Sequence, residues 1–101
     1  MILEIANIEI KADQLVAFEQ NLEKAQSVIA QAQGYLGHDF QQCIEEPTKY
    51  VLLIQWESLE AHTEGFRQSE LFREWRALIG KYFAAPPEVL HYELRFQNRK
   101  S

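Results

Sequence analysis

Positive charge is scarce in this chain. Ten lysines and arginines stand against fifteen aspartates and glutamates, for a net charge of −5 and an isoelectric point near 5.1. A nucleic-acid surface needs a basic face, and the one basic cluster, the tail "RFQNRKS", is short and terminal. Cysteine is almost missing: Cys43 stands alone, so no internal disulfide can form, which fits a reducing cytoplasm. No basic neighbour in sequence marks Cys43 as a nucleophile. With four glycines there is no glycine-rich phosphate loop, and neither CxxC nor HExxH occurs. No apolar run is long enough to cross a bilayer. The N-terminus opens in patterned sequence with an acidic Glu4, unlike a secretory signal peptide. The expectation is a cytoplasmic protein that engages neither nucleic acid nor membrane.

What is present is strong hydrophobic patterning. The 101 residues are 47% hydrophobic, enough for the core of a single domain over 1–101. "MILEIANIEI" reads as a first strand over 2–10. Asp13 is placed to cap a helix whose apolar stripe is Leu15, Phe18, Leu22, Ala25 and Ile29, and Gly34 to stop it. "HDFQQCIEE" alternates, with His38, Phe40, Gln42 and Ile44 on one side, and "EPTK" turns the chain into a third strand, "YVLLIQW". Ser58 caps a short helix, and Ser69 a second that runs to about Phe83. Pro86 and Pro87 break the pattern before a last strand, "VLHYELRF".

The order β-α-β-β-α-β predicts an α+β, ferredoxin-like fold with an antiparallel sheet and both helices on one face. Strand one is apolar on both sides: Ile2, Ala6, Ile8 and Ile10 on one, Leu3 and Ile5 beside Asn7 on the other. A sheet apolar on both faces needs both covered. Its own helices cover one, and a second copy about a two-fold axis covers the other. A homodimer is expected.

Asn7 places an amide in an apolar strand, where burial without a partner costs roughly 1–3 kcal/mol. It is satisfied by a neighbour, a water or a ligand. His62 follows Leu59 by three residues and precedes Phe66 by four, so all three share a helix face turned to the core. His62 is either a core histidine with a hydrogen-bond partner or a proton acceptor titrating near neutrality. If the Asn7 face meets the helices, Asn7 and His62 share one space. Leu71, Phe72, Trp75, Leu78 and Tyr82 form a stripe toward it, as plain core or as the wall of an aromatic pocket. His38 and Arg67 are placed to close its mouth, although Arg67 also suits a solvated surface. His91 reads as facing outward or toward the dimer partner, and Trp56 as a packing anchor.

The runs "YVLLIQWESLEAHTEGFRQSELFREW" and "FAAPPEVLHYEL", with "GYLGHDFQQCIEEP" upstream and the strand bearing Asn7, resemble the antibiotic biosynthesis monooxygenase family of dimeric α+β barrels. That family includes cofactor-free quinol oxygenases and haem-degrading enzymes. Against the haem-degrading pattern, Asn7 matches, Phe66 stands near the tryptophan position and Arg76 near the iron-ligand position. A guanidinium has no lone pair to give iron. The resemblance therefore implies a monooxygenase without metal or flavin, acting on a small phenol or quinol and dioxygen. For that reaction Asn7 is expected to stabilise the anion, His62 to be the base with His38 as second choice, and Phe66, Trp75 and Tyr82 to hold the ring, with His38, Arg67 and Phe72 as further substrate-binding residues. The alternative is a non-catalytic binding protein for a small aromatic metabolite on the same fold. A purely structural dimer is the third reading.

Overall fold

A computed structural model describes residues 1–100. The strands are β1 (Ile2–Glu9), β2 (Tyr35–Gln42), β3 (Lys49–Trp56) and β4 (Glu88–Glu93). The helices are α1 (Leu15–Ile29) and α2 (Glu70–Ile79), with a π-helical turn at Ala61–Phe66 and a 3-10 turn at Gly80–Tyr82. All pairings are antiparallel in the order β2-β3-β1-β4. This is the expected ferredoxin-like topology, with α1 and α2 packed against one another. No helix among the described residues is long and apolar enough to cross a membrane.

Local chemistry accounts for most element ends. The Ser69 hydroxyl accepts from the Phe72 N–H and caps α2 as expected. Ser58 accepts from the Ala61 N–H at the start of the π turn. The turn after β2 closes through Lys49 N–H to the Glu46 carbonyl at 2.9 Å. Gly34 has φ +85°, and a Cβ there would lie 2.6 Å from that of Ala61, so a side chain is excluded sterically and conformationally. Four expectations need correction. α1 ends at Ile29 with Ala30 as its C-cap, ahead of the expected stop at Gly34. Gln14, not Asp13, precedes α1, with no side-chain cap. β2 starts at Tyr35 and ends at Gln42, leaving Ile44 91% exposed beyond it. β4 ends at Glu93, short of the expected Phe96.

Period-two alternation divides the sheet. Glu4, Ala6 and Ile8 pair beside Ile54, Leu52 and Tyr50 on the face under the helices. Phe18, Ile29, Leu52, Ile54, Trp56 and Ile79 are fully buried there, each contributing on the order of 1.5–3 kcal/mol by burial. The opposite face carries Leu3, Ile5, Val51, Leu53, Leu90 and Tyr92, half-buried or exposed, with Asn7 beside Val51. The expectation that the Asn7 face meets the helices is therefore wrong. The inward set is the one continuing to Ile10, 1% exposed, and it brings Glu4 inside.

Candidate functional site

Glu4 is the buried charge of the sheet, 4% exposed in the middle of β1. An ionised carboxylate there loses several kcal/mol of hydration unless paired. Two groups meet it, both at Oε1. Trp56 Nε1–H donates at 2.9 Å from β3, and His62 Nε2 lies 3.3 Å away, delivered by the π turn. His62 is itself 4% exposed and stacks on the Trp56 indole, ring centroids 5.3 Å apart and planes 23° from parallel. Its other nitrogen, Nδ1, lies 2.7 Å from Nε2 of His91. Glu4 and His91 are cross-strand neighbours on β1 and β4, so His91 faces inward and not, as expected, outward.

The π turn explains how His62 gets there. Its i→i+5 bond, Arg67 N–H to the His62 carbonyl at 2.9 Å, widens the turn and directs His62 and Phe66 inward together. Leu59, expected on the same face, is left 41% exposed.

These groups open onto a cavity of about 220 Å³ between sheet and helices. Glu4, Ala6, Ile8, Ile54 and Val89 form its sheet side; His62, Phe66, Arg67, Phe72, Trp75 and Arg76 its helical side; Phe83, Pro86 and Pro87 complete it. Phe66 meets Phe72 and Trp75 edge-on, and the Arg76 guanidinium sits 5.9 Å from the Phe72 ring centroid. The Trp75 indole N–H is buried and has no acceptor among the described residues.

Electrostatics invert the usual order of the two titrating groups. Burial raises the Glu4 carboxyl from 4.5 to about 7, against opposing pulls from the Trp56 hydrogen bond and the Arg67 charge. Burial, then His91 and Arg67, lower the His62 imidazole from 6.5 to about 4. His91 is lowered as well, by burial and then by Arg67. At neutral pH His62 is an uncharged imidazole and Glu4 is poised to exchange a proton, the condition a general base needs.

Of the residues singled out in the sequence, His62, Phe66, Arg67, Phe72 and Trp75 are brought together here. Three are not. Asn7 lies across the sheet, in a shallow groove with Gln41, Cys43 and Val51. His38 sits under the helices on β2, its Nδ1 2.5 Å from the Tyr35 hydroxyl and its ring edge-on to Phe40, outside the cavity lining. Tyr82 packs on Phe18 and its hydroxyl accepts from Asn21 Nδ2 at 2.8 Å, on the α1 side of the core. Sequence reasoning missed Glu4, although a carboxylate in step with Ile2, Ala6, Ile8 and Ile10 was its visible signal. No group of three metal-ligating side chains occurs among the described residues.

The fold is a ferredoxin-like α+β domain with an aromatic-walled cavity between sheet and helices. The chain belongs to the antibiotic biosynthesis monooxygenase family, whose sequence profile matches residues 1–78. It is 40% identical over 93 residues to the Bacillus subtilis (strain 168) protein YczJ, covering 92% of this chain and 98% of that protein. A crystal structure of a Bordetella bronchiseptica protein bearing the antibiotic biosynthesis monooxygenase name superposes with a TM-score of 0.90 at 37% identity, over 94% of this chain and 97% of that one. SnoaB of Streptomyces nogalater, a cofactor-independent oxygenase solved as a point mutant, shares the fold at a TM-score of 0.79 and 14% identity, over 98% and 97% of the two chains.

Proposed function

We propose that this protein is a cofactor-independent monooxygenase that oxidises a small phenol or quinol with dioxygen in the cavity above Glu4. The observation that carries the reading is a buried carboxyl–imidazole pair opening onto an aromatic-walled space of about 220 Å³. SnoaB, a cofactor-independent oxygenase on the same fold, supports the reaction class. Glu4, with His62 hydrogen-bonded to it, takes the proton of a substrate hydroxyl. The resulting phenolate is electron-rich enough to reduce dioxygen itself. For a phenol, one oxygen atom enters the ring to give a quinone and the other leaves as water, with all four electrons coming from the substrate. Phe66, Phe72 and Trp75 hold the ring, and Arg67 and Arg76 favour the anion electrostatically. His62 stays in the site as partner of the base. Asn7 and His38 have no part in it.

The active form in this reading is a homodimer, with the second copy covering the face of Leu3, Ile5, Val51, Leu53, Leu90 and Tyr92.

Oxygen consumption with a panel of phenols and quinols tests the activity. Glu4→Gln keeps the side-chain shape and an acceptor for Trp56, and is expected to lower turnover by roughly 100-fold or more, the usual contribution of a general base. A wild-type protein that binds aromatic panel members by calorimetry yet consumes no oxygen with any of them would instead establish the binding-protein reading.

A further inference from the structure

We propose that Glu4, His62 and His91 form a proton relay that ionises Glu4 by passing its carboxyl proton to solvent beside β4. The inference rests on the oxygenase reading for the role of Glu4 as base and adds the route by which its carboxyl loses a proton to solvent.

The route is set by atom order. Glu4 and His62 line the cavity, whereas His91 does not: it lies behind His62 on β4, an edge strand, and is only partly buried. Glu4 Oε1 faces His62 Nε2 at 3.3 Å, and His62 Nδ1 faces His91 Nε2 at 2.7 Å. Both Trp56 and His62 contact Oε1, which leaves Oε2 clear of these contacts to meet a hydroxyl in the cavity.

Each protonation state of Glu4 is satisfied along the whole chain. With Glu4 ionised, His62 donates from Nε2 to Oε1 and accepts at Nδ1 from His91. With Glu4 protonated, the carboxyl donates to His62 Nε2, and His62 donates from Nδ1 to His91 Nε2. In both states every contact has one donor and one acceptor. The second state holds one proton more than the first. Passing from the second state to the first, each member hands one proton on in the same direction: Glu4 Oε1–H to His62 Nε2, His62 Nδ1–H to His91 Nε2, and one from His91 to water, which leaves Glu4 ionised and free at Oε2 to act as base; no electrons move. His62 only exchanges tautomers and never accumulates charge, which agrees with an imidazole held neutral by burial. The other charged groups at the chain are Arg67, whose field reaches all three members, and Arg76, which lines the cavity from α2. Both oppose a standing cation on the histidines and favour discharge to solvent.

Nitrogen-15 NMR of the histidine rings in the substrate-free protein tests the relay between about pH 5 and 8. The expected result is a single transition shared by both rings, with His62 neutral throughout and moving its proton from Nδ1 to Nε2 as pH rises. Glu4→Gln should abolish the transition and leave His62 in one tautomer. A His62 that keeps one tautomer in the wild type, or switches equally well in Glu4→Gln, overturns the relay. In turnover, His91→Phe should lower kcat by about 10-fold or more with KM little changed, and added imidazole should restore part of the loss. Full kcat in a folded His91→Phe protein also overturns it. A tautomer switch in a protein that oxidises no phenol or quinol would sustain the relay and remove the oxygenase reading, so the two failures are separable.

Discussion

Glu4 and Asn7 stand three residues apart on β1 and face opposite sides of the sheet. Glu4 is sealed among Trp56, His62 and Ile54, where low dielectric shifts both its own proton affinity and that of its neighbour. Asn7 lies open beside Val51 and Gln41, on a face where Leu3, Ile5, Val51, Leu53, Leu90 and Tyr92 are bordered by Asp39, Gln55 and Glu88. One face thus concentrates titratable groups in a buried enclosure, and the other sets an apolar centre within a polar margin. The contrast separates two requirements of the protein. Chemistry needs polar groups desolvated in pairs, whereas association needs apolar surface without trapped charge.

Substitutions on the outer face sharpen this comparison. Ile5→Arg puts a charge at the centre of the apolar patch, between Leu53 and Leu90. If a second copy covers that patch, the unpaired charge costs about 3–5 kcal/mol, and the dimer dissociation constant rises by about 100-fold or more. Sedimentation across a concentration series reads this directly, while the histidine NMR of the inner face should not change. Asn7→Leu is the smallest expected effect: a shift within about 0.5 kcal/mol in urea melts, because no buried partner is left behind, and unaltered turnover. A large loss of either would return Asn7 to the centre of the account.

The fold was readable because its two periodicities hardly overlap. Leu15, Phe18, Leu22, Ala25 and Ile29 keep helical spacing, and the strands alternate cleanly. The site was harder to locate. β1 is apolar on both faces, so alternation alone left open which set turned inward, and choosing the Asn7 set exchanged every residue of the strand between core and surface. Glu4 therefore has no place among the expected site residues, and His91, its cross-strand neighbour, is expected outward or at the dimer partner. The aromatic wall survived the error because Phe66, Phe72 and Trp75 belong to the helical layer. Tyr82 did not, since the 3-10 turn at Gly80–Tyr82 rotates it off the α2 stripe toward Phe18.

The central claim, that the functional proton chemistry sits in the buried Glu4–His62 pair, also has a thermodynamic signature. Glu4, raised to about 7, contributes stability that is fully present below about pH 4.5 and lost as pH rises through 7. His62, lowered to about 4, contributes stability present above about pH 6.5 and lost as pH falls through 4. The two slopes oppose each other, so the pair leaves the wild-type profile nearly flat between these limits. Glu4→Gln removes one slope and exposes the other. The most direct measurement is therefore the difference in unfolding free energy between Glu4→Gln and wild type from about pH 4.5 to 7. The account predicts that this difference moves in favour of the variant as pH rises, by on the order of 3 kcal/mol across the range. A difference that stays constant with pH would contradict it.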